Sequence, residues 1–251
     1  MKDKPLILIS NDDGYHAKGI NSLIDMLRGM GDIIVCAPES ARSGYSCAFS
    51  TTPLSLKHRR HEDCDGCSID VWSCSGTPVD CLKMAYAKVC PRKADIVLSG
   101  INHGDNASTN AHYSGTVGVV IEGALKGIPS IAFSLCDYDD DADFSHMEPL
   151  VKQLVTKVLN EGLPEYVCLN VNVPKGGSDE VRVCRMARGH WRNEVETQHH
   201  PGNGKPLYWM CGYYQNDEPD AEDTDAWALA HGFTAITPLT ADMTAKWEFK
   251  V

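Results

Sequence analysis

The chain has 251 residues, 43% of them apolar, and a formal net charge of −11. That length suffices for one large α/β domain or two small ones with a substantial core. The acidic balance argues against a nucleic-acid polymer as partner, because such binding needs a broad basic surface. No run reaches the roughly 18 apolar residues of a membrane span, and the apolar segment near the N-terminus is too short for a signal peptide. We therefore expect a cytoplasmic protein without a membrane contact.

The N-terminal part of the chain has the pattern of a βαβ unit. The apolar run over 5–10 has strand length, and apolar residues recur at helical spacing from Lys18 onward. A second apolar strand is predicted over 32–38, where Pro38 ends it. Strand, helix and strand in this short span imply a parallel pair with a right-handed crossover.

The segment CDGC, from Cys64 to Cys67, holds the closest pair among 11 cysteines. A structural zinc site would need a second pair of cysteine or histidine ligands at defined spacing, and none is evident in the sequence. The Asp-Gly pair favours the tip of a hairpin, with a metal or redox role as the alternative. Without a secretory signal, most of the cysteines are expected to be reduced thiols, several of them in the core.

Strands and helices continue to alternate up to about residue 175. Thr77 is a candidate N-cap, with Pro78 at the first helical position and Asp80 in the first turn. The segments that follow are a strand over 94–100, a helix over 114–127, a strand over 128–135, a helix over 147–160 and a strand over 166–174. The alternation predicts an α/β fold with a doubly wound, mostly parallel sheet over about 1–175.

The remainder, about 176–251, departs from this alternation. Extended segments flank a polar stretch over 192–205, which predicts a long protruding β-hairpin. The acidic run over 216–225 is expected to be a solvated loop. A short helix over 225–232 and a final strand over 233–239 are predicted to follow.

Three polar loops follow predicted strands, and ligands bind at that edge of open parallel sheets. Asn11, Asp12 and Asp13 follow the first strand, PESARSGYS follows the second, and INHGDNASTNAHYSGT follows the strand over 94–100. An Asp-Gly turn is one explanation of the acidic pair. The alternative is a metal site, because adjacent carboxylates repel unless a cation or several donors compensate. Carboxylates with neutral oxygen ligands suit Mg²⁺ or Mn²⁺.

Ser114, Gly115 and Thr116 lie at the predicted N-terminus of a helix. Amide groups and hydroxyls at such a position favour an anion, in particular a phosphate. Simple capping by Ser114 or Thr116 is the alternative. A metal site and an anion-binding helix at one sheet edge together suggest a phosphate ester held between them.

The chain resembles the SurE family of 5′/3′-nucleotidases in five successive motifs, ISNDDGYHAKGI, SGTPVDCLKMA, DIVLSGINHGDN, YSGTVGVVIEGALKGIPSIAFS and GFTAITPLTADMT. The resemblance covers nearly the whole chain. It implies a single Rossmann-like domain over 1–251 and a homodimer or homotetramer formed by exchange of the C-terminal hairpin. It also implies metal-dependent hydrolysis of nucleoside 5′- and 3′-monophosphates, with short polyphosphate as a further candidate substrate.

The resemblance also implies one divalent metal ion per subunit, held by Asp12, Asp13, Ser43 and Asn102. Ser40 and Ser46 compete with Ser43 in the same loop, and the flanking Arg-Ser-Gly favours Ser43. The third loop departs from the family pattern over 107–110, which puts the substrate preference in question.

The expected mechanism is attack on the phosphomonoester by a metal-activated water, with Asp12 or Asp13 as the base. The phosphate would be held by Ser114, Gly115 and Thr116, and phosphate or ribose would be bound by Asn11 and Asn106. The loops also carry three candidate acid–base histidines, His16, His103 and His112. Two tyrosines, Tyr45 and Tyr113, would either stack on a nucleobase or pack against the loops.

Other chemistries fit the first loop less well. A haloacid dehalogenase needs Asp-x-Asp-x-Thr/Val after its first strand, and a receiver domain needs an aspartate and a lysine at the ends of later strands. A nicotinamide-binding protein needs a glycine-rich first loop, whereas this loop is NDDGYHAKG. A non-catalytic, metal-stabilised nucleotide-binding module remains as the alternative function.

Overall fold

The computed structural model describes residues 4–64, 66–245 and 247. The strands are β1 (Leu6–Ser10), β2 (Asp32–Pro38), β3 (Leu56–Cys64), β4 (Cys67–Cys74), β5 (Ile96–His103), β6 (Ser130–Cys136), β7 (Val167–Pro174), β8 (Val181–Val183), β9 (Gly189–Arg192), β10 (Val195–His199), β11 (Pro206–Met210), β12 (Tyr213–Asn216) and β13 (Thr234–Thr240). The helices are α1 (Lys18–Met26), α2 (Pro78–Lys88), α3 (Gly115–Leu125), α4 (Glu148–Glu161) and α5 (Asp225–Ala230), with short 3₁₀ turns at Ser108–His112 and Ser145–Met147. None of the described helices has both the length and the apolar character to cross a membrane.

The described strands form a central sheet in the order β3-β4-β2-β1-β5-β6-β7-β13-β8. β3 pairs antiparallel with β4, and β13 pairs antiparallel with β7. The other neighbours in the sheet are parallel. The chain runs from β1 toward β2 on one side and continues with β5 on the other side of β1. The predicted mostly parallel sheet is confirmed, and its strand order reverses between β1 and β5.

Helices cover both faces of the sheet, which confirms the doubly wound arrangement. On one face, α1 and α4 contribute Leu23 and Val151 to the larger apolar core. On the other, α2 and α3 contribute Leu82 and Val119 to a second core. Burial of each large aliphatic side chain stabilises the fold by about 1.5–3 kcal/mol. The sheet that carries the loops is therefore a rigid support.

The start of α2 has the predicted capping arrangement. The Thr77 hydroxyl accepts a hydrogen bond from the Asp80 amide at 3.1 Å. The Asp80 carboxylate in turn accepts one from the Thr77 amide at 2.9 Å. Pro78, which has no N–H to satisfy, occupies the first turn. These reciprocal bonds satisfy amide groups that the helix leaves free at its N-terminus.

The predicted hairpin at CDGC is confirmed by the strands on either side of Asp65, which itself lies outside the described residues. β3 and β4 pair antiparallel up to the pair Cys64 and Cys67. The sequence did not predict that these two cysteines form a disulfide. Several of the other described cysteines, including Cys36 and Cys168, are free and buried, as expected.

The C-terminal hairpin differs from the single long hairpin that was predicted. β8 leaves the hairpin and pairs parallel with β13 at the edge of the central sheet. The hairpin itself consists of an inner ribbon, β9–β12, and an outer ribbon, β10–β11. Gly212, with φ of +113°, lies where the two ribbons join. The polar stretch over 192–205 thus contains the strand β10. Both faces of β10 are exposed, and polar residues are suited to such a ribbon.

The acidic run over 216–225 is not simply solvated, so that expectation is wrong for several of its residues. The Arg185 guanidinium pairs with Asp223 at 2.8 Å and also with Glu218. Asp225 is fully buried, and its carboxylate accepts hydrogen bonds from the Ser108 and Ala187 amides, each at 2.9 Å. The run thus joins the third polar loop to the chain that leads into the hairpin.

Candidate active site

A cavity of about 410 Å³ lies beside the carboxyl ends of β1 and β5. It is at the point where the strand order reverses, where open α/β sheets bind their ligands. We call it the catalytic cavity. Six of the predicted site residues line it, namely Asp12, Asp13, Ser43, Asn102, Asn106 and Ser114. The structure therefore brings together residues from all three polar loops.

Asp12 is a buried carboxylate fixed by the start of α3. The Thr116 hydroxyl donates to its Oδ1 at 2.6 Å, and the Gly115 amide donates to its Oδ2 at 3.2 Å. Burial raises the pKa of Asp12, although these hydrogen bonds act in the opposite direction. A Cβ at Gly115 would lie 2.8 Å from the Asp12 Cβ, so only glycine allows this approach.

Asp13 is only partly buried, but its Oδ2 is inaccessible and has no hydrogen-bond partner among the described residues. Burial and the neighbouring charge of Asp12 raise the pKa of Asp13 to about 7, while the backbone of His103 lowers it. An unpartnered carboxylate oxygen in such a place is unfavourable without a compensating positive charge. The acidic pair thus has the electrostatics of a cation site.

Neutral oxygen groups, those of Ser43 and Asn102, line the same cavity as the two carboxylates. The Asn102 amide nitrogen donates to the carbonyls of His103, at 3.1 Å, and Gly104, at 2.9 Å. Because both N–H bonds are used in this way, the Asn102 Oδ1 is oriented as an acceptor. Within the described ranges no group of three or more His, Cys, Asp and Glu is placed to hold a metal. Two carboxylates with hydroxyl and amide oxygens fit Mg²⁺ or Mn²⁺ better than a soft metal.

Only one of the three candidate serines of the second loop lines the catalytic cavity, and that is Ser43. The Ser46 hydroxyl instead donates to the His112 carbonyl at 2.6 Å. Ser40 is exposed away from the cavity lining. The placement thus agrees with the choice of Ser43 made from the flanking Arg-Ser-Gly.

Three residues of the predicted substrate-binding set do not face the cavity. The Asn11 side-chain amide donates to the Gly14 carbonyl at 3.0 Å and accepts from the Gly14 amide at 3.1 Å. These two bonds close the first loop. Gly115 and Thr116 are buried and directed at Asp12. Ser114 does line the cavity, and its hydroxyl caps α3 by accepting from the Val117 amide at 3.1 Å.

The candidate histidines are separated by the structure. His103 lines the cavity, and its ring packs edge-on against Phe144 with 4.9 Å between the ring centroids. His16 is exposed and stacks beside Tyr15, and His112 lies outside this cavity.

Of the two candidate tyrosines, one lines the cavity and the other does not. Tyr113 lines the cavity and is 54% exposed, whereas Tyr45 does not line it and contacts the Arg42 guanidinium.

The sequence did not single out Tyr138 or Trp191, although both line the cavity. Asn110 also lines it and was noted only as part of the departing stretch 107–110. Tyr138 follows β6 at the same sheet edge, so the strand pattern was a signal for it. Trp191 belongs to β9 of the hairpin, and no spacing in the sequence indicates that it reaches the cavity.

The doubly wound sheet and the carboxylate pair at its switch point define a Rossmann-like α/β protein with a candidate phosphoester site. The family model described as "Survival protein SurE" matches residues 7–193. The chain belongs to the SurE family.

Relatives match along almost the entire chain. The protein named 5′-nucleotidase SurE of Phocaeicola vulgatus is 52% identical over 246 residues, covering 97% of this chain and 94% of the relative. The protein of the same name from Bacteroides fragilis is 48% identical, covering 96% and 94%. A solved structure, the SurE protein of Aquifex aeolicus, aligns with a TM-score of 0.78 at 36% identity, covering 96% of this chain and 95% of that one.

Proposed function

We propose that the chain is a metal-dependent 5′-nucleotidase, which hydrolyses nucleoside monophosphates to nucleoside and phosphate. Relatives that match nearly the whole chain bear the name 5′-nucleotidase, and this similarity supports the enzyme class. The observation that carries the metal-dependent mechanism is the pair of adjacent carboxylates, with Asp12 buried and an unpartnered, inaccessible oxygen on Asp13.

One divalent ion, Mg²⁺ or Mn²⁺, would be held by Asp12, Asp13, Ser43 and Asn102. When bound, such an ion lowers the pKa of a water and neutralises charge on phosphate oxygens. The protein prepares the ligands for this role, because Thr116 and Gly115 hold the Asp12 carboxylate in one orientation. With the metal held in this way, Gly115 and Thr116 position Asp12 and Asn11 closes the first loop, and none of the three touches the substrate.

The phosphate itself would bind at Ser114, which lines the cavity at the start of α3, where the helix dipole favours an anion. Asn106 lines the cavity and is anchored through its amide to the Ser134 hydroxyl at 2.9 Å, so it is placed to bind phosphate or ribose. Asp13 is the candidate base for the attacking water, because it lines the cavity beside the other proposed ligands. His103 is the candidate acid for the leaving sugar oxygen.

The test is phosphate release from nucleoside 5′-monophosphates, with Mn²⁺ or Mg²⁺ and with EDTA. Asp12→Asn and Asp13→Asn should each lower turnover by at least about 100-fold, because a direct ligand matters at least as much as the outer-shell partners whose loss costs 10- to 100-fold. Asp25→Asn is the matched control, since Asp25 is exposed and pairs with Arg28 far from the cavity. Metal-independent release, or normal turnover in both variants, would contradict the mechanism.

The same phosphate-release assay decides the finer substrate range. Together with a measurement of nucleotide binding, it also decides the alternative function. Nucleoside 3′-monophosphates and short polyphosphate belong in the panel, because we extend the proposal to them as further substrates. If nucleotide binds with metal but no substrate releases phosphate, the chain is a nucleotide-binding module and not an enzyme.

We also propose a homodimer or homotetramer that assembles through the hairpin. The outer ribbon exposes a contiguous run of apolar side chains, Leu207, Tyr208, Trp209 and Met210. Such a surface on a two-stranded ribbon favours association with another subunit. Trp209→Glu should shift the assembly toward monomer in sedimentation velocity, and a monomeric parent protein at micromolar concentration would contradict the proposal.

A further inference from the structure

The catalytic cavity has an aromatic lining that the metal and phosphate chemistry does not use. Its members are Tyr113, Tyr138 and Trp191. Tyr113 and Tyr138 are exposed by 54% and 71% of their surface, and Trp191 is partly buried. Exposed aromatic rings at the wall of a substrate cavity offer large flat surfaces at little cost in side-chain entropy.

Three hydrogen bonds connect Trp191 and Tyr138 into one chain of side chains. The Trp191 indole N–H donates to the Asn110 Oδ1 at 3.0 Å. The Asn110 amide nitrogen donates to the Asp105 Oδ1 at 3.1 Å, and the Tyr138 hydroxyl donates to the Asp105 Oδ2 at 3.2 Å. Asp105 thus orients Asn110, and Asn110 fixes the plane of the Trp191 ring.

The strand that carries Trp191 is anchored to the loop that carries Asn110. The Thr109 hydroxyl donates to the Gly189 carbonyl at 2.7 Å, and the Ser108 hydroxyl donates to the Ala187 carbonyl at 2.7 Å. Both hydroxyls belong to the loop residues 107–110 that depart from the family pattern. The polar side chains at these positions thus have a structural role in this chain, because they hold the start of the hairpin at the cavity.

We propose that Trp191 is a specificity-determining residue that stacks on the nucleobase of the bound nucleotide. This inference rests on the proposed function and names the substrate class at the same cavity. Purine nucleotides should be preferred over pyrimidine nucleotides, because the larger base covers more of the indole face. Adenine and guanine should be accepted about equally, because the Asn110 carbonyl and amide are already bonded to Trp191 and Asp105 and do not read the base edge.

The experiment compares kcat/KM for AMP, GMP, UMP and ribose 5-phosphate in the same metal buffer. The abasic sugar phosphate keeps the reacting group and lacks the base, so the AMP to ribose 5-phosphate ratio isolates base recognition. Trp191→Ala should lower that ratio by roughly 5- to 150-fold, the range that base–aromatic stacking supplies. Turnover of ribose 5-phosphate should stay within about twofold of the parent protein, and Trp191→Phe should restore most of the ratio.

Trp209→Ala is the matched control, because Trp209 lies on the outer ribbon of the same hairpin but does not line the cavity. It should leave the AMP to ribose 5-phosphate ratio unchanged, even if the assembly of subunits changes. Asn110→Ala should lower the ratio less than Trp191→Ala does, because the ring remains and only its orientation is released.

Two results would overturn the proposal. One is an unchanged ratio in Trp191→Ala, and the other is a parent protein that does not prefer AMP to ribose 5-phosphate. The second needs no variant, so it decides the matter even if Trp191→Ala fails to fold. If the parent protein releases phosphate from no substrate, the proposed function fails instead. Equilibrium binding of AMP and ribose 5-phosphate to the parent and to Trp191→Ala then tests the stacking separately.

Discussion

The two linings of the catalytic cavity are built in different ways. The oxygen lining takes Asp12 and Asp13 from the end of β1 and Asn102 from the end of β5, and β1 is buried at every position. The aromatic lining takes Trp191 from the inner ribbon of the hairpin, whose strands are exposed or only partly buried at every position. The first lining rests on the packed sheet, and the second rests on hydrogen bonds between loops.

This difference separates two properties of the enzyme. A change in the oxygen lining should alter metal binding and catalysis for every substrate equally, because all substrates present the same phosphate. A change in the aromatic lining should alter the choice among substrates and leave metal affinity untouched. A variant in one lining that altered both metal affinity and the choice among substrates would contradict this separation.

The largest effect is expected for Gly115→Ala, because Gly115 contacts Asp12 of the oxygen lining. The new Cβ would lie 2.8 Å from the Asp12 Cβ and 2.9 Å from the Pro78 Cγ, both too close for carbon atoms. Asp12 must then shift, and a misplacement of about 1 Å at a catalytic group can cost about 100-fold in rate. We expect such a loss in kcat/KM for AMP and ribose 5-phosphate alike, measured by initial rates of phosphate release.

Gly202→Ala is the control for this change, because Gly202 lies in the exposed turn of the outer ribbon, where a Cβ would meet only the His200 ring. Its activity should equal that of the parent protein. Activity of Gly115→Ala within a few-fold of the parent would show that the contact between α3 and Asp12 does not position the carboxylate.

Asp225→Asn tests the support of the aromatic lining. The buried carboxylate accepts hydrogen bonds from the Ser108 and Ala187 amides, so an amide nitrogen in its place would face a donor. The loss of such a buried bond costs about 1–3 kcal/mol in the free energy of unfolding. We expect a lower urea midpoint and a lower AMP to ribose 5-phosphate ratio, with unchanged Mn²⁺ affinity by calorimetry.

Asp223→Asn is the matched control for this variant. Asp223 is exposed and forms an ion pair with Arg185, and such pairs contribute about 0–1 kcal/mol. A change in Mn²⁺ affinity in Asp225→Asn would contradict the independence of the two linings.

The sequence predicts the oxygen lining well for a physical reason. Apolar runs of strand length place β1 and β5 in a parallel sheet, and such a sheet brings the residues after its strands to one edge. Asp12 and Asn102 therefore meet although 89 residues of the chain lie between them. The choice of Ser43 over Ser46 required the family pattern, because both serines follow β2 in the same loop.

The aromatic lining was not predictable in this way. The position of Trp191 depends on the hairpin, and a two-stranded ribbon has no buried face whose period would fix its direction. The bonds that direct it come from Asn110, Thr109 and the buried Asp225. The last of these lies in a run of acidic residues whose composition is typical of a solvated loop.

Ser43→Ala should have a smaller effect, confined to the oxygen lining. The hydroxyl is a neutral ligand in the proposed site, so its loss should weaken Mn²⁺ binding by about tenfold, near the lower end of the effect of metal-site partners. Ser40→Ala is the matched control in the same loop and should bind Mn²⁺ normally, because Ser40 does not line the cavity. Titration calorimetry measures the Mn²⁺ affinity of both variants. Equal affinities would remove Ser43 from the proposed ligand set.

The smallest effect concerns the pH dependence of the metal-free protein. The folded-state pKa of Asp13 is raised to about 7, so the folded chain retains a proton that the unfolded chain releases above about pH 4. Stability should therefore fall as the pH rises from about 4 to 7, because the unfolded state binds fewer protons in this window. Solvent screening of this partly exposed group limits the change to about 1 kcal/mol.

Urea denaturation in EDTA at pH 5 and pH 8 measures this change, and Asp13→Asn should remove much of the difference between the two pH values. Mn²⁺ must bind the ionised carboxylates, so its stabilising effect should be small at pH 5 and large at pH 8. Replacement of Trp191, in the aromatic lining, should leave both pH profiles unchanged. If metal-free stability instead rose over this window, the charge of Asp13 would be compensated within the protein, and the argument for a cation beside Asp12 would lose its electrostatic basis.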